Sequence, residues 1–94
     1  MKQRIEMKKH EINISGRVQG VGYRYFVYYQ AKAYGIKGYV QNLMDGRVKV
    51  IAIGENTKKF IEELRKGPMM SHVSDIQINE LSSTKEYEEF TVKY

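Results

Sequence analysis

Gly16-Arg17-Val18-Gln19-Gly20-Val21-Gly22-Tyr23-Arg24 is the stretch from which the rest of this chain can be read. The alternating segment Ile12-Asn13-Ile14 leads into it, and Val27, Ala31 and Tyr34 recur after it at i, i+4 and i+7. Alternation is the period of a half-buried strand, and the second spacing is that of an amphipathic helix. The glycine run therefore joins a strand to a helix N-terminus. Glycines let several N–H groups turn inward, and the helix end adds partial positive charge, so the connection suits an anion. Arg24 falls in the first helical turn, where a cation opposes the helix dipole unless an anion compensates it. Its planar fork of donors matches a phosphate or a carboxylate.

Working outward, the first strand covers 11–18, with Ile12, Ile14 and Val18 on one face. The helix runs over 21–34 and Gly35 caps it. Gly38-Tyr39-Val40-Gln41 reads as a second strand, Asp45-Gly46 as a turn, and 48–53 as a third strand. Gly54-Glu55-Asn56-Thr57 offers caps for a second helix with the stripe Phe60, Ile61 and Leu64, and Gly67-Pro68 stops it. A fourth strand follows at 73–78, then a polar loop opened by Ser82-Ser83-Thr84, then a short fifth strand marked by Phe90 and Val92. The order βαββαβ plus a terminal strand predicts an α+β, ferredoxin-like sandwich: an antiparallel sheet with two helices on one face. Lys49, Ile51 and Ile53 alternate onto the opposite face, and periodicity alone does not say what covers it.

Ninety-four residues suit one domain, here a charged tail at 1–10 followed by a single domain at 11–94. The absence of cysteine excludes disulfides, thiolate metal sites and cysteine nucleophiles, and it is compatible with the cytoplasm, where the protein is expected. No apolar run has membrane-spanning length, and the first ten residues lack the apolar core of a signal peptide, so no membrane partner is expected. Sixteen Lys and Arg against eleven Asp and Glu give a net charge of +5, which favours an anionic partner without choosing between nucleic acid and a small anion. His10 and His72 are the only histidines; they lack metal-ligand spacing and read as surface residues, so no metal or other cofactor is expected. Gly20 to Gly22 starts like a dinucleotide fingerprint, but Tyr25 stands where the third glycine belongs, and no Gly-Lys-Ser/Thr phosphate loop is present.

These residues resemble the acylphosphatase family. Gly16 to Arg24 is similar to the family's first signature, and Gly38-Tyr39-Val40-Gln41-Asn42 to its second, with Asp45-Gly46 at the expected place. Leu64-Arg65-Lys66-Gly67-Pro68 and Val73 fit the end of its second helix and its fourth strand. Two departures are mild: Gly22 stands where many members carry a bulky residue, and Gln41 where a basic one is common. The resemblance implies a small, free-standing enzyme that hydrolyses carboxylic–phosphoric mixed anhydrides. It implies phosphate binding by the amides of Gln19, Gly20, Val21, Gly22 and Tyr23 and by Arg24, with Asn42 positioning the water. The leaving carboxylate belongs to an acid of pKa about 4–5 and needs no proton, so no general acid is required. A site of this kind contacts mostly phosphate, which leaves the acyl group weakly specified. A monomer acting on a small acyl phosphate is expected.

The same element order serves RNA-recognition domains, and the chain is basic and rich in tyrosine. That reading needs aromatics on the central strands for base stacking, and 48–53 has none. Nucleic acid is therefore not favoured as a partner. A phosphate-binding accessory domain, of the kind found at the start of larger hydrogenase-maturation proteins, is the other alternative.

Overall fold

The computed structural model describes residues 8–82 and 85–94. The basic residues Lys2 and Arg4 and the Ser83-Thr84 part of the expected polar loop lie outside them. The elements are β1 (Lys8–Arg17), α1 (Tyr23–Ala33), β2 (Lys37–Asn42), β3 (Val48–Gly54), α2 (Thr57–Lys66), β4 (His72–Leu81) and β5 (Phe90–Lys93). β1 begins three residues earlier than alternation predicts, because Lys8 pairs with Gly54 and Lys9 with both Ile53 and Leu81. Lys8, Lys9 and His10 thus belong to the sheet rather than preceding it. α1 starts two residues later than its periodicity predicts. Gly22, at φ 77°, is left-handed and so stands outside the helix as its N-cap.

The sheet order is β4-β1-β3-β2-β5. β1 to β4 form the expected antiparallel ferredoxin-like sheet, whereas β5 lies parallel to β2 and makes the whole sheet mixed. The reason is the route of the chain. From β4 at one edge it crosses to the other edge and re-enters in the direction opposite to β4; β2 also runs opposite to β4, so β5 and β2 agree. As a result β1, β2 and β5 all end at the same end of the sheet.

Ile12, Ile14, Val40, Val48, Val50 and Ala52 fill one face of the sheet and are fully buried. Tyr23, Val27 and Ala31 of α1 and Phe60 and Leu64 of α2 close over them. α1 packs on β2 and β5, and α2 on β3 and β4. Burial of each large side chain contributes about 1.5–3 kcal/mol before the entropy of ordering it. On the other face Tyr39 and Ile51 are only 8% and 5% exposed. Tyr87, in the β4–β5 connection, lies 5.9 Å from the Tyr39 ring, and the Lys9 ammonium donates to the Lys85 carbonyl. The connection is therefore tied across the face that carries Ile51.

Gly16 shapes the exit from β1. The β1–β4 register shifts between Ser15 and Gly16, and a Cβ on Gly16 would stand 2.1 Å from the His72 carbonyl oxygen. Only glycine allows that approach, and the bulge bends the strand into the loop that follows.

The buried Tyr23 hydroxyl donates to the Leu64 carbonyl at 2.7 Å, satisfying one of the last-turn carbonyls that α2 itself cannot pair. Burial raises the Tyr23 phenol above its ordinary pKa of 10.0. Folding therefore favours the protonated phenol, and this contribution is complete below pH 10. It is lost as the pH rises beyond that, where the unfolded chain releases the proton and the folded one retains it. Tyr23→Phe is expected to lower stability by about 1–2 kcal/mol at neutral pH. Urea unfolding above pH 10 should then fall less steeply with pH in the variant than in the parent.

Candidate active site

The loop from β1 to α1 is pinned at both ends by main-chain bonds. Val18 N–H donates to Gly16 O at 3.1 Å, and Phe26 N–H to Gly22 O at 3.1 Å. Between these points the N–H groups of residues 19–23 find no acceptor among the described residues. Gly20 (φ 74°) and Gly22 (φ 77°) hold the left-handed conformations that keep the loop open. α1 carries no acidic residue in its first turn and no side-chain cap on its first amides. Unmet donors and an uncompensated helix dipole together are the features that suit an anion.

Arg24 is the second residue of α1. Its Nη1 donates to the Lys93 carbonyl at 3.0 Å, and its guanidinium carbon lies 4.6 Å from the centre of the Tyr94 ring. The Tyr94 and Tyr25 hydroxyls share a hydrogen bond, which holds the Tyr94 phenol above its ordinary pKa. The ion pairs among the described residues are Arg47–Asp45 at 2.8 Å and Lys66–Glu63 at 3.4 Å. Arg24 is thus oriented by a carbonyl and a ring, both neutral, and no carboxylate among the described residues cancels its charge.

Asn42 ends β2 opposite Val48, and its Oδ1 is buried without a hydrogen-bond partner. A cavity of about 130 Å³ brings it together with Gly20, Gly22, Tyr23 and Arg24, with Val18 and Tyr25 completing the wall. At ~30 Å³ per water, that is room for a phosphoryl group with a water beside it. Gln19 and Val21 contribute no side chain to this wall. Val21 packs against the core, and Gln19 turns away.

Where Gln19 turns was not legible in the sequence. Its Nε2 donates to Leu43 O at 2.7 Å and to Arg47 O at 2.9 Å. Those residues close the β2–β3 turn, in which Leu43 N–H donates to Arg47 O at 2.8 Å. Asp45 stiffens the same turn by accepting from the Arg47 N–H and Nε, and that contact holds its carboxyl below the usual range. Gln19 thereby ties the glycine loop to the residue next to Asn42. Sequence reasoning also missed Tyr25, Lys93 and Tyr94. The approach of Lys93 and Tyr94 to Arg24, and of Tyr94 to Tyr25, depends on β5 running parallel to β2, which no local pattern announces. Among the described residues no group of three His, Cys, Asp or Glu could hold a metal ion, and no helix is long and apolar enough to cross a membrane.

The family described as Acylphosphatase matches residues 10–92. The acylphosphatase of Thermotoga maritima is 42% identical over 90 residues, covering 94% of this chain and 99% of that protein. The crystal structure of acylphosphatase from Bacillus subtilis superposes with a TM-score of 0.88 at 37% identity, covering 93% of this chain and 99% of that one. The crystal structure of T. kodakarensis HypF superposes with a TM-score of 0.81 at 32% identity, covering 93% of this chain and 12% of that one.

Removing the Gln19 side-chain amide takes away the donor that the Leu43 and Arg47 carbonyls share, and each keeps only its main-chain donor within the turn. Gln19→Ala is expected to lower stability by about 1–2 kcal/mol in urea unfolding. It should also weaken inorganic phosphate binding measured by calorimetry, because the loop is no longer held against the turn.

Proposed function

The chain belongs to the acylphosphatase family and hydrolyses acyl phosphates, and on that premise we propose how its own residues do so. The phosphoryl group sits on the amides of Gln19, Gly20, Val21, Gly22 and Tyr23, with the Arg24 guanidinium on its non-bridging oxygens. In phosphoryl transfer the developing charge is spread over those oxygens, so donors already in place stabilise it without reorganising. The observation that carries this reading is the set of amides that are unmet, beside an arginine that has no carboxylate partner, among the described residues.

Asn42 holds the attacking water. An amide is no base at neutral pH, so its part is orientation, and its unpartnered Oδ1 is the group free to accept from that water. The water oxygen bonds to phosphorus as the bond from phosphorus to the acyl oxygen breaks. The carboxylate leaves with the electron pair, and a phosphate oxygen takes the proton of the water. No side-chain base or acid is used, and Arg24 with the loop amides supplies the positive field. The protein works in this way as a cytoplasmic monomer on a small substrate.

Purified protein is expected to hydrolyse benzoyl phosphate undiminished by EDTA. Arg24→Gln and Asn42→Ala should each lose about 10²–10³-fold in kcat while remaining folded by circular dichroism. Asp45→Asn should retain activity, since the Asp45 carboxylate serves the turn; a comparable loss there would instead make it the base.

A further inference from the structure

Beside the phosphate site lies a second concavity that the reaction as described does not use. It is a groove of about 370 Å³ between α1 and β5. Tyr25, Tyr28 and Tyr29 of α1 form one wall, Phe90 and Val92 the apolar part of the other, and Glu89 stands in its lining. Tyr25 belongs to this groove and to the wall of the phosphate cavity, so the two spaces share a side chain.

We propose that this groove is the acyl subsite and that it takes a neutral aromatic acyl group. The proposal rests on the phosphoryl group occupying the Arg24 loop. The acyl group is bonded to a phosphate oxygen, so it must leave the cavity beside one of the walls, and the Tyr25 wall opens on a surface suited to it. Tyr25 is 51% exposed and Tyr29 65% exposed, one turn apart on the same face of α1. Aromatic side chains left in water beside a reactive site have large surface to gain from a stacking partner. An acyl group anchored on the loop must extend by about one turn, 5.4 Å, to lie along both rings, which is close to the length of a benzoyl group. Among the described residues that line the groove, Glu89 is the one with a charged side chain, so an acyl group bearing its own carboxylate meets repulsion there. The groove thus gives acyl selectivity to a site whose phosphate contacts alone carry none.

The test compares kcat/KM for benzoyl, acetyl and succinyl phosphate in the parent, Tyr29→Ala and Glu89→Lys. Both changes are on exposed side chains outside the phosphate cavity. The parent should prefer benzoyl to acetyl phosphate. Tyr29→Ala should lower kcat/KM for benzoyl phosphate about three- to ten-fold, the factor expected for one aromatic contact, and leave acetyl phosphate unchanged. Glu89→Lys should raise succinyl relative to acetyl phosphate. Hydrolysis of all three compounds with the same ratios in parent and variants overturns the groove and leaves the phosphate site standing. Hydrolysis of none by the folded parent overturns both.

Discussion

The N–H groups of residues 19–23 have no acceptor among the described residues, and holding them that way is the constraint on which the rest of the structure depends. A glycine-rich connection left to itself turns its amides onto nearby carbonyls. Here both ends are fixed. At one end the Gly16 bulge sets the angle at which the chain leaves β1. At the other the Tyr23 ring is fully buried and its hydroxyl is fixed to α2. Between them the Gln19 amide is spent on the β2–β3 turn, not on the loop itself. The donors stay available because the elements around them are rigid.

The same economy of charge governs Arg24. A carboxylate beside it would fix the guanidinium more strongly than the Lys93 carbonyl and Tyr94 ring do, but it would also compete with any anion that bound there. Neutral partners orient the side chain and leave its charge without a carboxylate among the described residues. The C-terminal residues can serve because β5 runs with β1 and β2, so that the loop after β1, Asn42 at the end of β2 and Tyr94 after β5 meet at one end of the sheet.

The face without helices explains why the likeness to RNA-recognition domains stops at topology. Its aromatic residue, Tyr39, is buried beneath Tyr87 and approached by the Lys93 and Lys49 ammonium groups at 3.9 and 5.7 Å from the ring centre. Cations occupy the ring face that a base would need. The positive charge of the chain is partly engaged in holding its own β4–β5 connection.

The element order, the two helices and the pairing of Arg24 with the glycine loop were determined by the sequence itself. Each is local: a period of two or of 3.6, a glycine pair, an Asp45-Gly46 turn, an arginine one step inside a helix. Asn42 could be assigned only through the family likeness, because alone it reads as a turn residue. Gln19 shows the limit most clearly, since its backbone place was legible and its side-chain partners were not. The Leu43 and Arg47 carbonyls are main-chain atoms that any residues would present, so no side-chain pattern marks them as its acceptors. The direction of β5, the cover over Ile51, the Tyr94 ring on Arg24 and the groove along Tyr25 and Tyr29 were decided by tertiary structure alone. All four depend on how the chain crosses from β4 to the far edge of the sheet, and that route is set by packing between segments far apart in sequence.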